Sequence, residues 1–399
     1  MAKQAIDPSA LITLTRLREN GFSAFAVGGC VRDLLLGRRA HDWDVATSAR
    51  PEQVLELFDR AFSTGLAHGT VTVMHGRTAV EVTTFRREGS YSDGRHPDNV
   101  CFDADLTGDL ARRDFTVNAM ALDETGQIID PFGGQTDLKN RILRCVGDPH
   151  TRFTEDALRM WRAFRFSATR NFQIENHTWA AIADCAPLAA NLSAERLSAE
   201  IQKILLSHGT ARLSEALSMG LMDAFLERRP FASLPTGTLK RLPRRPDCRW
   251  SGFAALLRRS GCLSEISDFL RALRLPNRVS KAASGGADLA LNRPMPTDDA
   301  GWRQLCSEYG VPVALCAASA ADALTGGHTV VVLRTVLQKN PCLSVRELAL
   351  SGEQLSAVGW EGIEIGRLQR ELLGHVLYYP EDNTQEALWR IICEKRGWR

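Results

Sequence analysis

Phe22-Ser23-Ala24-Phe25-Ala26-Val27 runs into Gly28-Gly29-Cys30-Val31-Arg32-Asp33, and His41-Asp42-Trp43-Asp44-Val45 follows shortly after. The first six residues read as a short strand, Gly28-Gly29 as a turn, and Val31 to Leu36 as the start of a helix. A strand, a glycine turn and a helix start expose backbone N–H groups to an anion. Arg32 adds a forked guanidinium suited to phosphate oxygens, and Asp33 falls in the expected first helical turn, where a negative charge suits the dipole. Asp42 and Asp44 stand two apart on an extended segment, so both carboxylates can converge on one hard cation that also holds a triphosphate. Taken singly, a Gly-Gly pair is usually a turn and an Asp-x-Asp usually a solvated loop. Their order within one stretch points to phosphoryl or nucleotidyl transfer.

Three further segments follow in order. Ala79-Val80-Glu81-Val82-Thr83-Thr84-Phe85-Arg86 reads as a strand, then come Arg112-Arg113-Asp114-Phe115-Thr116-Val117-Asn118-Ala119-Met120-Ala121 and a helix over Glu155-Asp156-Ala157-Leu158-Arg159-Met160-Trp161-Arg162-Ala163-Phe164-Arg165-Phe166. With the first stretch they resemble the class II tRNA nucleotidyltransferases, the CCA-adding enzymes, and their bacterial poly(A) polymerase relatives in the polymerase β superfamily. The resemblance is dense from about Phe22 to Phe166 and continues more loosely to the C-terminus. It implies an α+β fold, with a mixed-sheet, polymerase β-like nucleotidyltransferase head followed by an all-α neck, body and tail. The borders expected on that basis are 1–147 for the head, 148–207 for the neck, 208–330 for the body and 331–399 for the tail.

Composition agrees. A chain of 399 residues divides into two or more domains with sizeable cores. No apolar run approaches a membrane span, and Met1 to Asn20 lacks a signal-peptide core, so a cytoplasmic protein without membrane partners is expected. Ten cysteines without a Cys-x-x-Cys read as reduced thiols, which argues against a zinc site. A net charge of +2 means that an RNA partner is held by local basic surface. Before Asp148, β-branched runs alternate with glycine turns; after it, helical spacing dominates over Glu155 to Ala168, Asn176 to Ala183 and Ser193 to Leu206. Thr329-Val330-Val331-Val332 fits strand or helix. The sequence leaves monomer and homodimer both open.

Asp42 and Asp44 are the expected holders of Mg2+, and Glu81 is a third carboxylate candidate, since Val80 and Val82 face the other side of its strand. His41 is assigned no chemistry. Cytosine and adenine share an exocyclic amine beside an unprotonated ring nitrogen, whereas uracil and guanine show a carbonyl beside a protonated one. A carboxylate that accepts from the amine and an arginine that donates to the nitrogen therefore favour C and A. Asp156 and Arg159, three apart on a helix, are close enough to form that pair, and the family's base-reading residues map onto them. Helical drift of about 60° per three residues points Arg165 away from Asp156, while Arg162 can still reach the nucleotide. The resemblance places both arginines in nucleotide binding. It gives Arg113 a phosphate or sugar contact, with Asp114 and Asn118 as candidates for hydrogen bonds to a ribose hydroxyl.

Arg86 to Asn99 reads as a mobile loop, which in the family is needed for switching from C to A addition. Its presence favours full CCA addition over CC-only addition, although A-only enzymes also carry it. Two basic clusters, Lys240, Arg241, Arg244, Arg245 and Arg249, then Arg271, Arg274, Arg278 and Lys281, are equally candidates for RNA contact or for solvated surface. The tail, including a helix from Gly366 to Tyr379, resembles the end that binds the tRNA elbow. The expected activity is stepwise, template-independent addition of C, C and A to tRNA from CTP and ATP. Ala61 to Val71 lacks the arginine-rich segment of poly(A) polymerases, which argues against that alternative. Intact Asp42, Asp44 and Arg32 argue against a non-catalytic RNA-binding relative, and the helical extension against an antibiotic-modifying enzyme.

Overall fold

The structure, a computed structural model, describes residues 6–40, 42–65, 69–89, 100–229 and 232–396. The chain divides into two compact units, one of residues up to Ile204 with Glu215–Ala224, the other of Leu205–Ser214 with Phe225 onward. Most of the loop expected between Phe85 and Cys101, at residues 90–99, lies outside the described residues, as do His41 and residues 66–68.

In the first unit the strands are β1 (Ala24–Val27), β2 (Trp43–Thr47), β3 (Ala61–Gly65), β4 (Thr70–His75), β5 (Thr78–Thr84), β6 (Arg87–Glu88), β7 (Val100–Cys101), β8 (Ala121–Leu122), β9 (Ile128–Ile129), β10 (Ile142–Leu143) and β11 (Gln173–Ile174). Seven of them form one mixed sheet in the order β3-β4-β5-β2-β1-β8-β9, in which only β2 and β5 run parallel. Register sets the chemistry: Asp44 of β2 stands beside Val27 of β1 on one side and Glu81 of β5 on the other. Trp43, Val45, Val80 and Val82 alternate with these acids and are buried, so period-two patterning sends the apolar side chains into the core and leaves both carboxylates on the opposite face.

Helices α1 (Pro8–Glu19), α2 (Gly29–Leu35), α3 (Pro51–Leu57), α4 (Leu106–Ala111) and α5 (Gly134–Asn140) flank the sheet. Next come α6 (Pro149–Glu155), α7 (Leu158–Arg170), α8 (Asn176–Cys185) and α9 (Ala194–Leu205). Asp148 caps α6 through Thr151 N–H at 2.8 Å, with Pro149 in the first turn. The expected continuous helix from Glu155 is broken: Asp156 is extended, at φ −149° and ψ 102°, between α6 and α7. Its carboxylate accepts Leu158 N–H, the competition with helix that short acidic side chains offer. Phe115 packs edge-on against Phe166 of α7 with ring centroids 5.8 Å apart, which ties the Arg113-Asp114 segment to that helix.

Among the described residues the second unit has no strands. After α10 (Arg212–Ser218), which straddles the two units, come α11 (Pro246–Arg259), α12 (Ile266–Ala272), α13 (Asn277–Asn292), α14 (Asp299–Tyr309), α15 (Val311–Thr325) and α16 (Thr329–Gln338), then α17 (Gly352–Ala357), α18 (Gly362–Tyr378) and α19 (Gln385–Arg396). A Cβ at Gly286 of α13 would sit 2.3 Å from Cys316 Cβ, so this glycine permits the close approach of α13 and α15. The ambiguous Thr329 to Val332 is helical. The expected border at residues 330 and 331 cuts α16, whose Val330, Leu333 and Val336 share one core with Trp302 and Leu315. A separate core begins at Cys342 and gathers Leu350, Leu355, Leu372 and Ile392. No helix among the described residues is long and apolar enough to cross a membrane.

Arg249 corrects the first basic cluster. It is 1% exposed and donates to the carbonyls of Leu205, Ser207, Lys240, Leu242 and Pro243, so it staples backbone and offers nothing to RNA. Burial, with the charge of Arg244, pulls its guanidinium down to about 10. Arg249→Met is expected to destabilise the fold by on the order of 3 kcal/mol, because buried carbonyls lose their donor, and chemical denaturation checks this.

Candidate functional site

Gly28 has φ 80° and ψ −131°, a conformation L side chains avoid, and a Cβ there would lie 2.9 Å from a terminal nitrogen of Arg113. Gly28 therefore clears space in which Arg113 approaches Asp44. These residues open onto a cavity of about 470 Å³ that is also lined by Gly29, Arg32, Arg112, Asp114, Asn118, Asp156, Leu158, Arg159, Arg162, Arg165, Phe166 and Arg196. Nearly every residue named from sequence thus meets at one place. Asp42 and Glu81 lie outside this lining, yet their charges act on Asp44.

Asp44 is half-buried, whereas Asp42 and Glu81 are exposed. Burial pushes the Asp44 carboxyl up; Arg113 opposes, and the negative charges of Glu81 and Asp42 add to the rise. The three carboxylates are hard oxygen donors of the kind a divalent cation of the magnesium type takes, and the charges of Asp42 and Glu81 act on Asp44, although the three ligand atoms do not all lie within 4.8 Å of one another. Among the described residues the one trio of metal-capable side chains within 4.8 Å is Asp247, Cys248 and Cys316, but the Asp247 carboxylate is taken by Arg245 and by Cys248 N–H.

Every arginine of the cavity is held by an acid. Asp109, fully buried, accepts from Arg112 at 2.7 Å and Arg113 at 3.2 Å; burial works against its charge, yet the two guanidinium groups keep its carboxyl below the usual range. The Nε of Arg113 is buried without a hydrogen-bond partner, while the residue itself lines the cavity. Arg32, 5% exposed, donates to Asn118 Oδ1 at 2.5 Å and to Asp33 at 3.0 Å. Asp33 lies beyond the first turn of α2, because that helix starts at Gly29. Its carboxylate instead joins Arg32 to Arg170 of α7 at 2.8 Å.

Asp114 accepts from Phe115 N–H and Asn118 Nδ2 on one oxygen, and from Arg162 Nε and its terminal nitrogen on the other at 2.7 and 2.6 Å. Burial alone would raise this carboxyl, but the charge of Arg162 and the bonds from Asn118 and Arg162 bring it down to about 2. Arg159 donates to Glu155 and to the carbonyls of Arg152 and Arg112. Arg165 lies over the Phe166 ring at 3.8 Å and donates to Glu200 of α9. Asp156 Oδ2 accepts from Arg196 of α9 at 2.7 Å. Asp156 and Arg159 are therefore not neighbours on one helix as expected, although both line the cavity, and Arg165, expected to point away from Asp156, lines that same cavity. Asp156 is off the helix, and the long arginine stems of α7 reach one cavity from successive turns. Arg196 and Glu200 escaped the sequence reading, because Ser193 to Leu206 signals only an apolar stripe and their partners lie 40 and 35 residues away.

The model of the Poly A polymerase head domain matches residues 24–144, and that of the probable RNA and SrmB-binding site of polymerase A matches 171–231. The CCA-adding enzyme of Geobacillus stearothermophilus is 38% identical over 403 residues, covering 98% of this chain and 97% of that protein. The chain belongs to the CCA-adding enzyme family. The enzyme of Streptococcus gordonii is 36% identical over 97% of both chains. The crystal structure of Bacillus stearothermophilus CCA-adding enzyme in complex with CTP superposes with a TM-score of 0.76 at 33% identity, covering 98% of this chain and all of that one. A family of nucleotidyltransferases generally needs a divalent metal, which agrees with the acidic donor set.

Asp114 generates a pH prediction. A carboxyl held at about 2 stabilises the fold above its unfolded pKa near 4, and that stability is lost as pH falls through 2. Asp114→Asn is expected to lose about 2 kcal/mol at neutral pH and to show a flatter stability profile between pH 4 and 2, measured by urea unfolding across that window.

Proposed function

We propose that the chain adds C, C and A in turn to the 3′ end of tRNA without a nucleic-acid template, using CTP and ATP and releasing pyrophosphate. The observation behind this reading is one cavity that gathers a metal-type carboxylate, Asp44, a clasp of arginines for phosphates and an Asp156/Arg159 pair suited to amino-bearing bases. Its relatives carry the name of that activity, and one was solved with CTP. On this reading 1–147 is the catalytic head and the helices after it read the base, the body and tail holding tRNA in the cytoplasm.

Asp42 and Asp44, with Glu81 beside them, are the proposed holders of Mg2+. When bound there, divalent ions lower the pKa of the attacking 3′-hydroxyl and neutralise the leaving pyrophosphate. Arg113 and Arg32 bind the triphosphate, Arg113 with its terminal nitrogen in the space that Gly28 leaves. Asn118 gives one amide hydrogen to Asp114 and takes one from Arg32, which leaves one N–H and one lone pair for the ribose hydroxyl. Asp114 holds Arg162, so its part in ribose binding runs mainly through Asn118. Arg159 keeps its Nε hydrogen and one terminal hydrogen beyond the bonds described, enough to donate to a ring nitrogen, while Asp156 accepts from the exocyclic amine.

Extension of a tRNA lacking CCA, with magnesium, CTP and ATP, tests the reading at single-nucleotide resolution. Growth to CCA and arrest is expected; a stop at CC, extension only from CC, or a long adenosine ladder would each replace it with a different activity. Asp42→Ala is expected to abolish every addition while leaving tRNA binding in gel shifts largely intact. Asp156→Ala is expected to lower the preference for CTP over UTP roughly 10- to 100-fold, the worth of a lost two-point base contact.

A further inference from the structure

We propose that Arg196 of α9 is a specificity-determining positioning residue, which grips the Asp156 carboxylate in the orientation that separates C and A from U and G. The inference rests on the base-reading role proposed for Asp156. Asp156 lies in an extended link, not in a helical turn, so its backbone supplies little of the restraint that a helix gives a side chain. The carboxylate torsion of aspartate is also intrinsically broad. One oxygen accepts from Leu158 N–H at 3.1 Å, a single neutral hydrogen bond. The other is held by Arg196 at 2.7 Å, a shorter, charge-assisted bond. Together the two contacts fix the carboxylate plane.

The chemistry of selection requires that fixity. An amine donates to the carboxylate, whereas the uracil or guanine carbonyl opposes it lone pair to lone pair. Rejection lasts only while the carboxylate cannot turn aside and let a water bridge the two acceptors. Arg196 can hold it because α9 is itself immobilised: Leu197, Ile201 and Ile204 are fully buried. One turn on, Glu200 of the same helix accepts from Arg165. α9 thus presents a cation to the acid of the base site and an acid to one of its arginines, the charge complement of the surface it faces. Arg196 itself lines the cavity.

The test compares kcat/KM for CTP and UTP on a tRNA lacking CCA, in the wild type, Arg196→Ala, Arg196→Lys, Asp156→Ala and the double variant. Arg196→Ala is expected to reduce the CTP:UTP ratio about tenfold, part of the worth of the full base contact. Arg196→Lys is expected to restore the ratio to within about threefold of wild type, since one donor makes the observed bond. In the double variant the ratio is expected to match that of Asp156→Ala alone, the non-additivity of a residue acting through its partner. A purely supporting arginine would lower both nucleotides in proportion together with the melting temperature. An unchanged ratio in Arg196→Ala, or additive losses in the double variant, overturns the inference. Should Arg196→Ala not fold, Arg196→Gln keeps the stem and carries the same comparison. Failure of the wild type to incorporate CTP overturns the functional reading itself, and is distinguished by that fact from failure of the Arg196 role alone.

Discussion

Four donors converge on the buried carboxylate of Asp114, and the catalytic face of the first unit depends on them. Through Asn118 the carboxylate reaches Arg32, through Arg32 it reaches Asp33, and through Asp33 it reaches Arg170 at the far end of α7. Arg162, in the middle of α7, closes the loop by returning to Asp114. A circuit of charged side chains, bridged by the neutral amide of Asn118 and closed through the backbone of α7, therefore joins the glycine turn after β1, the segment before β8 and both halves of α7. Breaking one member leaves its neighbour charged and desolvated, so the circuit acts as a unit and holds the phosphate end of the cavity in register with its base end.

The same logic governs the cavity as a whole. Arg112 and Arg113 have Asp109, Arg159 has Glu155, Arg162 has Asp114, Arg165 has Glu200 and Arg196 has Asp156. So many cations could not remain close together around one cavity without those acids. The pairs also fix each guanidinium before a ligand arrives, so little reorganisation is left for the binding step. Asp44 is the exception: its neighbours Asp42 and Glu81 are acids, and its one opposing charge is Arg113. Two local balances therefore sit side by side, one with its acids answered and one with acid in excess. That asymmetry suits a substrate that brings both phosphate anions and metal cations.

What the sequence made legible was what short-range periodicity controls. The strand, glycine turn and helix from Phe22, and the two-residue spacing of Asp42 and Asp44, are local patterns whose faces follow from strand geometry, and β1, α2 and β2 appear where they were expected. The strand-bearing head and the helical remainder were legible for the same reason, while the mixed sheet was what the family resemblance implied. What escaped depends on contacts made across the chain. The break at Asp156 arises because a side chain competes with helix for a backbone N–H, which apolar spacing does not register. Arg249 sat in a basic run that read as surface, yet five carbonyls claim it. Asp33 finds Arg170 across 137 residues, and no spacing rule could have paired them.

The break at Asp156 has a consequence beyond its local geometry. A continuous helix would have spread Asp156, Arg159, Arg162 and Arg165 around its circumference, with the acid and the last arginine on different faces. Placing the acid in the link before α7 frees it from that rotation, and it meets Arg196 and the cavity while the three arginines approach along the helix. A base edge needs an acceptor and a donor side by side in one plane, whereas a triphosphate needs donors spread over a larger volume. One uninterrupted helix presents the second arrangement far more readily than the first. The interruption lets a single segment of twelve residues supply both.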